Sequence, residues 1–219
     1  MTGSPTLAEI VTRRHSTRMF LPDRPVPIEL LNECLALAMK APSNSNVQPW
    51  RLFLATGARR DKLAAALAAE ARAHPPVTMG LPDSFLPLRR ELGALVYGSM
   101  GIARDDAEGR WTARLRNFEF FYPPVAGVVC MHRDLGPADA VAVGMFVQTL
   151  LLALTERGLD SCVQVSTTLY PDLVREQLDI PEELDLLCGL CIGYADPAFP
   201  ANSLTIPRND VAQNVVLVD

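Results

Sequence analysis

Between Ala140 and Leu154 the chain reads AVAVGMFVQTLLLAL, and only Gln148 and Thr149 interrupt its apolar character. A helix of this composition is apolar on every side rather than along one stripe, so every side has to be covered. Two arrangements meet that demand: a helix buried all round in the core of one chain, or a helix shared between two subunits. No segment offers the ~18 uninterrupted apolar residues of a membrane span. The leading MTGSPTLAEIVTRR lacks a basic stretch followed by an apolar run, so the expectation is a cytoplasmic protein with no membrane partner.

The flanks of this stretch set the fold class. Thr6 with Glu9 forms a capping box for a first helix to about His15. Pro27 suits the first turn of a second, whose apolar spacing runs through Leu30, Leu31, Leu35 and Leu37 before Pro42. WRLFLATG (Trp50 to Gly57) predicts a strand and ARRDKLAAALAAEARA an Ala-rich helix. A longer helix is expected over Asp83 to Ala103. Three more strands are expected at Pro124–Arg133, Leu159–Ser166 and Leu184–Ala195, separated by helices over Asp139–Arg157 and Pro171–Leu178. Helices interleaved with about four strands describe one layered domain over residues 1–219.

Charge excludes one class of partner. Twenty Lys+Arg against 25 Asp+Glu leave a net charge of −5, and the basic residues are scattered, so no footprint for nucleic acid is expected. His15, His74 and His132 lack partners at ligand spacing, so no metal site is expected. The cysteines are an odd number set among apolar neighbours, which suits reduced thiols. Cys188-Gly-Leu-Cys191 has the spacing of a redox pair, but LDLLCGLCIGY reads as a buried strand, on which residues three apart face opposite ways. Two core cysteines are expected.

Two motifs point to chemistry. Arg13-Arg14-His15-Ser16-Thr17-Arg18 places guanidiniums, an imidazole and hydroxyls within six residues, a set that suits a phosphate dianion but also complements a helix C-terminus. Pro42-Ser43-Asn44-Ser45-Asn46-Val47-Gln48-Pro49-Trp50 is dense in side chains that both donate and accept. Such groups suit the edge of a heterocycle, and equally an ordinary polar turn. The strip Asn117 to Tyr122, with Tyr97, offers Phe118, Phe121, Tyr122 and Tyr97 as substrate-stacking candidates; at period two, half of the strip belongs to the core.

Arg-His-Ser-Thr-Arg followed about 25 residues later by Ala-Pro-Ser-x-x-Asn-x-Gln-Pro-Trp resembles the FMN-dependent nitroreductase family, in particular its nitrobenzoate-reductase branch. The likeness continues through Gly101-Ile-Ala-Arg-Asp-Asp, Asn117-Phe-Glu-Phe-Phe-Tyr-Pro-Pro-Val, the apolar helix with Gln148, Gly158-Leu-Asp-Ser-Cys, and Gly193-Tyr-Ala-Asp-Pro with Pro200-Ala-Asn and Arg208. The resemblance implies an α+β nitroreductase-like fold with a central, mostly antiparallel sheet. It also implies a homodimer joined through the long apolar helix, with FMN in two clefts at the interface, and so favours the shared-helix arrangement. By position, Arg14, His15, Ser16 and Arg18 match residues that hold the flavin phosphate and pyrimidine. Pro42, Ser43, Asn44 and Asn46 match a loop reaching the flavin from the other subunit. Val165 and Ser166 fall beside the flavin N5 edge, and Arg208 where a C-terminal Arg meets phosphate.

The sequence departs from the family pattern at two places. Val165-Ser166 replaces the Glu-Gly pair of many relatives, and Ser203, Thr205 and Ile206 stand where a second basic residue accompanies the C-terminal Arg. The implied activity is transfer of hydride from NADPH or NADH through FMN to nitroaromatic or other electron-poor acceptors in ping-pong order, with the flavin, not a protein residue, carrying the chemistry. The alternatives are a flavin-dependent reductase, dehydrogenase or dehalogenase on the same scaffold, or a flavin-binding protein without turnover.

Overall fold

The computed structural model describes residues 4–77 and 80–218. Its centre is a four-stranded sheet in the order β1-β2-β4-β3, made of β1 (Arg51–Thr56), β2 (Val125–His132), β3 (Asp160–Gln164) and β4 (Leu184–Gly193). Every pairing between these strands is antiparallel. The closest approach lies at Gly127, where an added Cβ would stand 1.8 Å from the Phe53 carbonyl oxygen. Only glycine fits there.

Period two along the strands builds two cores. On one face Ala126, Val128, Cys130 and Cys191 pack with Leu63 and Leu67 of α3 (Gly57–Ala73) and Val174 of α7 (Pro171–Leu178). On the other, Val125, Val129 and Ile192 pack with Leu31 and Cys34 of α2 (Ile28–Ala38) and with α6 (Pro137–Glu156). Trp50 stacks on Phe146 of α6 at 4.9 Å between centroids and 11° between planes, worth roughly 0.5–1.5 kcal/mol beyond its burial. Cys188 lies against the α6 layer and Cys191 in the α3 layer, opposite faces of one strand. Burial pushes the Cys188 thiol up to about 11 and Cys191 well above its ordinary value, so neither is a reactive thiolate.

Helix α6 is long and apolar enough to cross a membrane by length and composition alone. Instead it buries Ala142, Val143, Phe146, Val147, Leu150 and Leu154 in the second core. Its other side remains open within one chain, where Val141 is 62 % and Met145 38 % exposed, and Gly144 and Gln148 complete that stripe at helical spacing. Burial all round inside a single chain is therefore not what the fold provides.

Several expected boundaries move. Helix α1 is Leu7–Arg13, held by the expected capping box in which Thr6 Oγ1 accepts from Glu9 N–H at 3.3 Å and the Glu9 carboxylate accepts from Thr6 N–H at 2.7 Å. Pro27 is the residue before α2 rather than its first, and α2 ends at Ala38, short of Pro42. The helix expected over Asp83 to Ala103 is a 3₁₀ turn followed by α4 (Leu86–Ser99), stopped where Gly101 turns left-handed at φ 70°. Helix α5 (Ala107–Leu115) is unforeseen; Asp106 caps it, Oδ1 accepting from Gly109 N–H at 2.8 Å. A last short helix, α8 (Val211–Asn214), lies in the exposed tail.

Candidate functional site

The edge strand β3 gathers the first motif. Ser16 bridges Ser161 in parallel and Thr17 N–H donates to the Ser161 carbonyl at 3.0 Å. The Arg14–Arg18 segment therefore runs alongside β3, whose end leads directly into Val165 and Ser166. Residues that stand almost 150 positions apart in sequence become neighbours through one strand pairing.

Arg18 is fixed at both ends. Its N–H donates to Asn202 Oδ1 at 2.7 Å, and its Nη1 donates to the Ser16 carbonyl at 3.1 Å. Asn202 Nδ2 in turn donates to the carbonyls of Met19 at 2.8 Å and Asp196 at 3.0 Å. Asn202 thus ties the C-terminal segment to the arginine motif, using every polar atom of its amide. His15 Nδ1 lies 3.0 Å from the Arg13 carbonyl, which requires the proton on Nδ1 and turns Nε2 toward Thr17 Oγ1 at 3.5 Å.

Beside this edge opens a cleft of about 920 Å³. Arg18, Val165 and Ser166 line one end, and Phe118, Phe121 and Tyr97 lie on its walls. Ser166 Oγ is buried there without a hydrogen-bond partner. An unpaired buried hydroxyl costs about 1–3 kcal/mol, a cost removed when a ligand supplies its partner.

The aromatic wall rests on an unusual turn. Phe120, Phe121 and Tyr122 all adopt left-handed backbone, at φ 54°, 61° and 62°. Such conformations for bulky residues cost of order 1 kcal/mol each and persist only where packing over-determines them. Here Phe120 is fully buried, Phe121 N–H donates to the Arg116 carbonyl at 2.9 Å, and Phe20 N–H donates to the Phe121 carbonyl at 3.0 Å. The turn sends Phe118 and Phe121 partly into the core and partly onto the cleft. Phe118 also meets Tyr170 edge-on at 5.6 Å. Tyr122 leaves the cleft: its hydroxyl donates to Glu119 at 2.5 Å, and burial together with that carboxylate pushes it up to about 12.

Other candidates lie elsewhere within one chain. Arg14, His15 and Ser16 are half-buried along β3, next to the cleft rather than on its wall. Pro42, Ser43, Asn44 and Asn46 precede β1, at the opposite edge of the sheet from β3, and stand outside the cleft. Their loop is fixed by left-handed Ser45, Asn46 and Gln48 and by Ser43 Oγ accepting from Gln48 N–H at 3.1 Å. Arg208 is exposed in the tail, where Nη1 donates to the Ile206 carbonyl at 2.8 Å. Among the described residues no cluster suited to a metal ion occurs.

Within one chain the Arg14–Arg18 segment thus lies along β3 beside a cleft lined by Arg18, Val165, Ser166 and the aromatic residues Phe118, Phe121 and Tyr97, groups able to meet an oxyanion and to cover a planar ring. Residues 11–194 match the family model described as the nitroreductase family. The chain is 33 % identical to nitrobenzene nitroreductase of Ectopseudomonas oleovorans, covering 100 % of this chain and 99 % of that protein. It is 35 % identical to 4-nitrobenzoate reductase of Pseudomonas putida over 91 % of this chain and 89 % of the other. The crystal structure of an FMN-dependent nitroreductase from Mycobacterium smegmatis in complex with NADPH superimposes with a TM-score of 0.89 at 30 % identity, covering 97 % of each chain.

Proposed function

The chain belongs to the nitroreductase family, and from that premise we propose that it is an FMN-dependent NAD(P)H oxidoreductase acting on nitroaromatic or other electron-poor acceptors. The observation that carries the reading is the convergence of Arg18, Val165 and Ser166 at one end of a cleft with Phe118, Phe121 and Tyr97 on its walls. These residues fit a flavin mononucleotide. The guanidiniums of Arg14 and Arg18 and the Ser16 hydroxyl match a phosphate and an electron-rich pyrimidine edge, and the orphaned Ser166 Oγ supplies one further polar contact.

Bound FMN would supply the two-electron chemistry between NADPH or NADH and the acceptor, in ping-pong order. The protein's own part is electrostatic and steric. Arg18, immobilised by Asn202 and Ser16, presents a fixed cation where negative charge develops, and a preorganised charge costs no reorganisation at that moment. Phe118 and Phe121 exclude water from one side of the cleft. Val165, 62 % exposed, offers no carboxylate at the position where many relatives carry Glu, so nicotinamide orientation rests here on backbone groups and on the cleft walls. The assembly we propose is a homodimer of single-domain chains (residues 1–219). The exposed Val141–Met145 stripe of α6 is covered by a second copy, and the Pro42–Asn46 loop of one subunit completes the flavin cleft of the other.

Anaerobic titration of the flavin-loaded protein with NADPH or NADH tests the activity. The yellow flavin should bleach, then recover on addition of a nitroarene; a flavin that resists both nicotinamides refutes the reductase reading.

A further inference from the structure

The cleft has a second chemical character. Six arginines line it, Arg18, Arg89, Arg104, Arg110, Arg114 and Arg116, and no Asp or Glu does. This is a concentration of one sign in a chain whose net charge is −5. None of the six forms an ion pair with a carboxylate among the described residues, whereas Arg59, Arg60, Arg72 and Arg157 all do. Asp106 and Glu108 line a separate depression that also includes Arg116, and Asp106 is engaged in capping α5.

Helical spacing aims the group. On α4, Arg89, Gly93, Val96, Tyr97 and Met100 share the face that meets the cleft; on α5, Ala107, Arg110, Trp111 and Arg114 do the same. Three of the six guanidiniums are held by aromatic faces, Arg110 4.1 Å above the Tyr97 ring, Arg114 5.5 Å from that of Trp111 and Arg116 5.6 Å from that of Phe199. Stacking occupies the flat of a guanidinium and leaves its N–H edge free for a forked contact with an oxyanion. Between the charges lie Leu92, Val96 and Trp111, an apolar floor for a planar group.

We propose that Arg89, Arg104, Arg110 and Arg114 form an anion-recognition wall that selects cleft ligands carrying a carboxylate or phosphate beyond their planar part. The inference rests on the proposed reductase reading and refines it. The reacting ring lies toward Val165 and Ser166, and the ligand's anionic group lies against the α4–α5 arginines. The anion has two possible sources, a carboxylate on the acceptor or a phosphate on the nicotinamide donor.

The test uses the flavin-loaded protein and its Arg89→Gln/Arg104→Gln variant, both positions being exposed and without an ion pair among the described residues. Calorimetry with benzoate against benzamide, and with adenosine 2′-monophosphate against adenosine, reads the wall without turnover. Steady-state kcat/KM ratios for 4-nitrobenzoate over nitrobenzene, and for NADPH over NADH, read it in catalysis. In one arm the wild type should prefer the anionic ligand, and the variant should lose about tenfold or more of that preference. Arg89→Lys/Arg104→Lys should keep part of it and lose it steeply with salt, as a point charge does. The arm that responds identifies the source. Preferences unchanged in both arms, or a wild type that never prefers the anion, overturn the wall. A protein that binds benzoate through the wall but cannot be reduced by nicotinamide would refute only the reductase reading.

Discussion

Asn202→Ala should loosen Arg18 without touching any charged group. The side chain accepts from Arg18 N–H at 2.7 Å and donates to the Met19 and Asp196 carbonyls at 2.8 and 3.0 Å. A neutral hydrogen bond is worth about 0.5–1.5 kcal/mol net, and Asn202 is half-buried, so water re-satisfies part of what is lost. A loss of about 2–3 kcal/mol follows from these three bonds, or a fall in Tm of roughly 4–12 °C for a chain of this size. Asn202→Asp discriminates the donors from the acceptor. It keeps the bond from Arg18 N–H but turns a second oxygen toward two carbonyls, so it should be at least as destabilising as alanine at pH 7 and milder once protonated. The thermal melt of the apoprotein reads stability, and fluorescence titration with FMN reads the site. FMN affinity should fall several-fold, because ordering Arg18 becomes part of the cost of binding. A variant with unchanged Tm, or one that is destabilised yet binds FMN as tightly as wild type, refutes the assignment of Asn202 as the residue that positions Arg18.

Arg14→Ala should weaken FMN by roughly ten- to a hundredfold, the loss of about 1.5–3 kcal/mol from a charge-assisted contact, and leave riboflavin almost unaffected; equal weakening of both removes the phosphate assignment. Cys191→Ser, in a fully buried site, should cost about 1–3 kcal/mol in urea unfolding, and Cys188→Ser less because it is only partly buried, with reduction by nicotinamide intact in both; a stable variant that no longer reduces its flavin would restore the redox pair. Burial raises Cys162 to about 11 and Cys130 to about 12 from an ordinary 9.0. The folded state therefore holds more protons than the unfolded chain, and stability present below pH 9 should decline as pH rises from 9 toward 12, steeper than in Cys130→Ala/Cys162→Ala; equal slopes would refute this. A mixed dimer of Arg14→Ala and Asn46→Ala subunits should keep half its FMN sites at wild-type affinity by calorimetry; two equally weakened sites would show that each cleft is built from one chain.

What was legible in the sequence divides along physical lines. All four strands and the helices over Gly57–Ala73, Pro137–Glu156 and Pro171–Leu178 carry periodicity or composition that tertiary packing reinforces. The strand reading of LDLLCGLCIGY also separated Cys188 and Cys191 onto opposite faces, as observed. Helix α5 was missed because its short stretch, AEGRWTARL, is too polar to read as a buried stripe, although the Asp106 cap was a usable signal. That omission hid the arginine wall, since Arg110 and Arg114 share a face only once the helix is known. The left-handed turn at Phe120–Tyr122 had no local signal at all. Glycine or asparagine ordinarily marks such backbone, and here packing holds aromatic residues in it. Tyr122 was consequently expected in the cleft and points away.

The topology also constrains how the flavin motifs can be used together. The arginine motif lies along β3 and the Pro42–Asn46 loop precedes β1, the two edges of a four-stranded sheet. Three strand spacings separate those edges by roughly 14 Å, with both faces of the sheet between them filled by helices. Neither motif can cross that distance inside one chain without dismantling a core. In the proposed homodimer a two-fold operator would remove the difficulty if it brought the β1 edge of one copy to the β3 edge of the other, which it would do twice. The loop contacts α6 within its own chain, so an operator that covers the open Val141–Met145 stripe carries the loop along with it. In that homodimer the apolar helix α6 and the polar Pro42–Asn46 loop would be two demands on one interface, and a substitution such as Met145→Glu that blocks the first should remove the second, leaving a monomer whose FMN affinity is lower than that of Asn46→Ala.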